Sequence, residues 1–223
     1  MPKLVTLQDP TSPAAEAFRA LRTNIQFAAL EKPIRTLIVS SAAPDEGKSA
    51  TIANLAVTMA QAGHKTLLVD ADLRRPSQHT LWELPNETGL TSLILDSAKG
   101  SKAKIALQGV GVDNLAVLTS GPLPPNPADL FSTRRIEEVL DILTSQAEIV
   151  LFDAPPILSV SDTTLLASKL DALLLVVKAG ATRRDHAQRA QDALQRANIR
   201  VIGVALTNAP RDSSMGAYYG VKK

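Results

Sequence analysis

A strand-to-helix turn at Ala42-Ala43-Pro44-Asp45-Glu46-Gly47-Lys48-Ser49 constrains this chain more than any other segment. Arg35–Ser40 reads as a short apolar strand leading into it. Ser49–Gln61 reads as the helix leading out, with Ile52, Leu55, Ala56 and Met59 at helical spacing. A turn ending in Gly-Lys-Ser at such a junction has the chemistry of a phosphate-cradling loop. Its backbone N–H groups point inward, Lys48 can reach the β- and γ-phosphates of a nucleotide, and Ser49 can ligate Mg²⁺. Ala42 stands where the first glycine of such loops is usual, so an ordinary βα loop with a capping serine is the competing interpretation of these eight residues alone.

Strand-like and helical runs alternate along the rest of the chain. The strands predicted are Arg35–Ser40, Lys65–Asp70, Leu115–Thr119, Ile149–Asp153, Ala172–Lys178 and Arg200–Thr207. The helices predicted are Ala14–Leu30, Ser49–Gln61, Pro127–Gln146, Asp162–Lys169 and Arg183–Ala197, with a further short helix packed by Trp82 after the second strand. This alternation implies βαβ units and an α/β fold with a mostly parallel, doubly wound sheet. Continuously apolar strands such as Leu173-Leu174-Leu175-Val176-Val177 fit a sheet covered by helices on both faces. The 223 residues make a single domain. Residues 1–34 carry an extra N-terminal helix, 35–208 form the nucleotide-binding core, and 209–223 form a flexible tail rich in Gly, Ser, Asp and Lys.

Composition removes several function classes. With no cysteine there is neither a disulfide nor a thiolate metal site, which fits a cytoplasmic protein. A formal charge of +2, with basic residues scattered, offers no nucleic-acid surface. The apolar runs fall far short of the ~20 residues of a membrane helix, and the N-terminus lacks a signal-peptide pattern. The chain is therefore expected neither to span a membrane nor to be exported. His64, His79 and His186 are scattered and carry no catalytic assignment.

Two acidic strand ends complete the site. The second strand ends Val69-Asp70-Ala71-Asp72-Leu73-Arg74, and the fourth ends Phe152-Asp153-Ala154-Pro155-Pro156. In a parallel sheet all carboxyl ends share one edge, where ligands bind, so Asp70, Asp72 and Asp153 converge on Lys48 and Ser49 if their strands neighbour the first. Phosphoryl transfer needs a lysine, Mg²⁺ and carboxylates that hold the ion through water. A single strand-end Asp is ordinarily a turn or helix cap, but three beside a Gly-Lys-Ser loop point to an ATP–Mg²⁺ site formed by Pro44, Asp45, Glu46, Gly47, Lys48, Ser49 and Ala50.

Together these segments resemble the bacterial tyrosine kinases, P-loop autokinases of capsular and exopolysaccharide biosynthesis. Ser41–Ser49 corresponds to Walker A, Leu67–Arg74 to Walker A′ and Ile149–Pro155 to Walker B. The likeness extends to Arg74-Arg75-Pro76, Gly89-Leu90, the loop Gly121–Pro127, Val160-Ser161-Asp162 and Gly203–Asn208. It implies catalytic roles for Lys48, Asp70, Asp72 and Asp153, with Ser49, Asp72 and Asp153 supporting Mg²⁺. Asp70 is the best candidate to orient or deprotonate the acceptor hydroxyl, since a phenol of pKa ~10 benefits from a base. Asn208 resembles the adenine-contacting Asn of related ATPases, although strand-end Asn is commonly turn chemistry.

Glu16-Ala17-Phe18-Arg19-Ala20-Leu21-Arg22 matches the Glu-x-x-Arg-x-x-Arg pattern that joins neighbouring subunits of the family into a ring. Its charged residues step about 60° per interval around the helix. The competing interpretation is a solvated face with an i,i+3 ion pair. Phe18, Leu21 and Ile25 are expected to pack on the core. The two tyrosines of the chain, Tyr218 and Tyr219, lie in the tail, where the family carries phosphoacceptor tyrosines, usually more than two. The resemblance also implies a separate transmembrane activator, a cognate tyrosine phosphatase and a position at the inner membrane face. Two other functions compete with an autokinase. One is a nucleotide-switched positioning ATPase of the partition or division-site type, whose extra lysine near the loop start is absent from Ser40-Ser41-Ala42-Ala43. The other is a non-catalytic ATP-binding regulator of polysaccharide assembly.

Overall fold

In the computed structural model, which describes residues 3–97 and 105–209, alternating apolar side chains of each central strand enter two separate cores. The seven strands are β1 (Thr36–Ser41), β2 (Thr66–Asp70), β3 (Gln108–Gly109), β4 (Leu115–Leu118), β5 (Ile149–Asp153), β6 (Ala172–Lys178) and β7 (Val201–Thr207). They form one sheet in the order β3-β4-β2-β5-β1-β6-β7, parallel throughout except for the β3–β4 pair. Leu37, Leu68, Leu151 and Leu174 face one core, while Ile38, Leu67, Phe152 and Leu173 face the other. That division is why these strands read as unbroken apolar runs: both faces are covered.

On the first face lie α1 (Val5–Gln8), α2 (Pro13–Ala28) and α3 (Lys48–Gln61), with the α3 residues from Thr51 to Ala60 all buried. Ser12 caps α2 by accepting a hydrogen bond from the Ala15 N–H at 3.2 Å, with Pro13 at the first helical position. The second face carries α5 (Leu90–Ser97), α7 (Arg135–Gln146) and α9 (Arg184–Arg196) through Leu93, Ile136, Leu143 and Leu194. The remaining short helices are α4 (Gln78–Leu81), α6 (Pro127–Ser132) and α8 (Asp162–Ala167).

The predicted sheet is present, with four departures. The expected helix Pro127–Gln146 is two helices, because Thr133 is extended (φ −76°, ψ 156°) and turns its hydroxyl back to the Leu130 carbonyl at 2.8 Å. The antiparallel edge strand β3 is too short for a periodic signal. Helices α1 and α5 lie outside the predicted set. At the start of α5, Gly89 permits a backbone approach that no side chain would allow: a Cβ there would lie 2.1 Å from the Thr119 carbonyl oxygen. Of the residues expected on the core face of α2, Ile25 is buried, Leu21 packs partly buried against the core, and Phe18 is only half-buried, outside that cluster.

Candidate active site

The strand order decides which acidic residues reach Lys48. β5 lies between β1 and β2, so Asp153 is on the neighbouring strand while Asp70 is one strand further away, opposite Asp153 in register. Gly47 caps α3 with φ 86°, a left-handed backbone that glycine adopts without strain, and this aims the first N–H groups of α3 into the loop. The Lys48 ammonium donates to Asp72 Oδ2 at 2.9 Å, to Ser49 Oγ at 3.2 Å and to Asp153 Oδ1 at 3.3 Å. Burial alone would lower the lysine's pKa. The charges of Asp153 and Asp72 outweigh it and hold the ammonium above its ordinary value.

A cleft of about 660 Å³ opens beside this cluster, and Pro44, Asp45, Gly47, Lys48, Ser49 and Ala50 form its loop wall. Glu46 is not on that wall. It is buried at 3 % exposure, its carboxylate accepting from the Ala43 N–H at 3.1 Å and from the Thr182 hydroxyl. Its side chain therefore braces the loop, and only its backbone remains for a nucleotide. Thr207, the last residue of β7, adds a second brace by donating to the Glu46 carbonyl at 2.8 Å. Asn208 follows it with φ 53°, exposed and near the loop but not on the cleft wall.

Asp70, the candidate for the acceptor hydroxyl, lies beneath the cleft instead of in it. It is fully buried; Oδ2 accepts from the Gln78 and Ser77 N–H groups at 2.8 and 2.9 Å, and Oδ1 from the Asp72 N–H at 3.2 Å. Burial, then the neighbouring Asp153 charge, pushes its pKa up to about 8 against the lowering effect of those donors. Asp72 does line the cleft. Its Oδ2 holds Lys48, and its Oδ1 accepts from the Arg75 and Arg74 N–H groups at 3.0 and 3.3 Å.

Two participants carry no signal in sequence. Gln78 donates to Asp153 Oδ2 at 2.8 Å and to the Ser49 carbonyl at 3.1 Å, and accepts from the Trp82 indole at 3.1 Å. It thereby orients the Asp153 carboxylate from a four-residue helix. Thr182 reaches Glu46 from the turn before α9. Neither belongs to a periodic or motif pattern; both act through tertiary proximity.

Ser49 Oγ and the carboxylates of Asp72 and Asp153 are hard oxygen donors suited to Mg²⁺. Among the described residues no group of three or more His, Asp or Glu forms a self-sufficient metal cage. Mg²⁺, which keeps waters and takes phosphate oxygens as ligands, fits such a partial donor set. On α2, Glu16 and Arg19 form an i,i+3 pair at 2.6 Å, whereas Arg22 turns inward and donates to the Thr58 carbonyl of α3 at 3.0 Å. The acceptor candidates Tyr218 and Tyr219 lie outside the described residues.

A family profile described as AAA domain matches residues 38–185, from β1 into α9. Over 221 residues the chain is 41 % identical to the tyrosine-protein kinase YwqD of Bacillus subtilis, covering 98 % of this chain and 92 % of that protein. The crystal structure of the chimerical protein CapA2B2 superposes with a TM-score of 0.87 at 36 % identity, covering 93 % of this chain and 90 % of that one. The kinase domain of the Escherichia coli tyrosine kinase Etk superposes with a TM-score of 0.86 at 32 % identity, covering 94 % and 82 %.

Proposed function

Because the chain belongs to the bacterial tyrosine-protein kinase family, we propose that it is an ATP-dependent autokinase transferring phosphate to Tyr218 and Tyr219 of a neighbouring copy. The observation that carries this reading is Lys48, held between Asp72 and Asp153 at the mouth of the cleft. Transfer to a phenol is chiefly positioning and charge neutralisation. In this assignment the α3 N-terminus and Lys48 bind the β- and γ-phosphates, and Asn208 lies toward the adenine. Ser49, Asp72 and Asp153 support the metal, with Gln78 fixing the orientation of Asp153. Mg²⁺, when bound, offsets charge on the phosphate oxygens. Asp72, the carboxylate on the cleft wall, orients the acceptor hydroxyl. Asp70 is a positioning residue that fastens the segment bearing Asp72.

The cellular setting proposed is control of capsular or exopolysaccharide synthesis and export, at the inner membrane face, through a separate transmembrane activator. A homo-oligomeric ring and a cognate phosphatase complete it. Among the described residues no helix is long and apolar enough to cross a membrane. Intact-mass measurement after incubation with Mg·ATP and an activator fragment tests the reading. The wild type should gain up to two phosphates. Lys48→Ala should lower the rate ~10²-fold or more while remaining folded, because the phosphoryl group loses its main positive partner. Near wild-type phosphorylation by Lys48→Ala would overturn the loop assignment. ATP hydrolysis without any mass gain by activated protein would favour the positioning ATPase.

A further inference from the structure

The two adjacent arginines after β2 are used differently. Arg74 is committed: its guanidinium grips the buried Asp162 carboxylate in a bidentate pair at 2.7 and 3.1 Å. Arg75 is exposed and lines the cleft, and among the described residues no carboxylate pairs with its guanidinium. Its backbone N–H donates to Asp72 Oδ1, so the residue that holds Lys48 also fixes where Arg75 starts. Two positions on, Ser77 carries a buried hydroxyl without a hydrogen-bond partner, on the same cleft wall. With no protein group satisfying it, this hydroxyl is available to a partner that a ligand in the cleft supplies.

Around these two donors the cleft is apolar. Leu81, Pro156 and Val160 line it together with them. A slot with hydrocarbon walls, an unpaired guanidinium and an unpaired hydroxyl suits a flat ring bearing a doubly charged oxyanion. Arginine meets phosphate with a fork of N–H donors that lysine lacks.

We propose that Arg75, Ser77 and Leu81 form an aryl-phosphate subsite, which seats the acceptor ring and grips the phosphate once the ring carries it. The proposal rests on the kinase reading for the origin of its ligand, but binding can be measured without turnover. The probe is phenyl phosphate, titrated into full-length protein loaded with Mg·ADP, so that the nucleotide phosphate site is already filled. Phenol, the same ring without the phosphate, serves as the uncharged comparison. The wild type should bind phenyl phosphate more tightly than phenol. Arg75→Ala should weaken phenyl phosphate about tenfold and Arg75→Lys by less, as expected for a charge-assisted fork. Ser77→Ala should weaken it severalfold. ADP affinity should stay within about twofold in all three variants.

Unchanged phenyl phosphate binding in Arg75→Ala, or no binding by wild type, overturns the subsite. An equal loss of ADP affinity assigns Arg75 to the nucleotide instead, and also overturns it. Autophosphorylation of the same wild-type sample is read separately. If the binding pattern holds while no phosphate is transferred, it is the kinase reading that fails.

Discussion

At the scale of single residues, Asp70 and Asp72 show how two carboxylates two positions apart acquire different work. Asp72 sits on the cleft wall with a cation against it, whereas Asp70 is sealed below by three backbone N–H donors. With its folded pKa raised to about 8, from an ordinary 3.8, the native state keeps a proton that the unfolded chain gives up. Stability from this group is therefore undiminished below about pH 4, falls as pH rises toward 8 and levels off beyond it. Asp70→Asn removes that titration. Thermal melts between pH 5 and 9 should show a shallower decline for the variant than for the wild type, even where the variant melts lower because its amide nitrogen cannot accept from the Asp72 N–H, or from Ser77 and Gln78 together. Parallel slopes would mean that Asp70 is ionised throughout.

Among the elements, α2 carries the clearest separable prediction. The Glu16–Arg19 pair is partly exposed and lies within one helix, so its net contribution to folding is only ~0.3–0.5 kcal/mol. Arg22 instead ties α2 to α3 through the Thr58 carbonyl, a tertiary hydrogen bond of ~1 kcal/mol. Glu16→Ala with Arg19→Ala should leave the melting temperature nearly unchanged while shifting an activator-bound oligomer toward monomer in light scattering. Arg22→Ala should lower the melting temperature as well. Nucleotide binding should persist in both, since α2 lies outside the cleft lining. Unaltered mass for the double variant at matched concentration would return these residues to a solvated helical face.

The whole molecule sets where the tail begins. β7 ends at the carboxyl edge of the sheet, where Thr207 touches the phosphate loop, so the chain leaves the core beside its own site. Tyr218 is ten residues beyond Asn208, a reach of up to ~35 Å when extended. Length alone therefore permits transfer within a subunit, and only mixing decides. A Lys48→Ala chain combined with a chain lacking both tyrosines should gain phosphate if transfer runs between subunits. Tyr218→Phe with Tyr219→Phe should gain none yet still bind ATP, because these are the two tyrosines of the chain. Each phosphate adds about −1.5 to −2 charges to the segment that bears Lys222 and Lys223, a change large enough to alter how the copies associate. An unlabelled Lys48→Ala partner would contradict transfer between subunits, and a labelled tyrosine-less chain would contradict Tyr218 and Tyr219 as the acceptors.

Local sequence alone determined the elements whose signal is local. The central strands are apolar enough to demand cover on both faces, and Gly47-Lys48-Ser49 marks the strand-to-helix turn from β1 to α3, where Gly47 admits a left-handed backbone. The strand-end aspartates were likewise legible, since parallel strands bring their carboxyl ends to one edge. Tertiary structure decided the rest. Insertion of β5 between β1 and β2 set Asp153 beside Lys48 and withdrew Asp70 beneath the cleft. Glu46 became a brace through Thr182, and Gln78 became the partner of Asp153, across 136 and 75 residues of chain. Arg74 and Arg75 are identical in sequence chemistry; a buried Asp162 eighty-eight residues from Arg74 is what pairs one and leaves the other facing the cleft. Such roles depend on which groups meet after folding, and a side chain's partners across the sheet leave no periodic mark on its own segment.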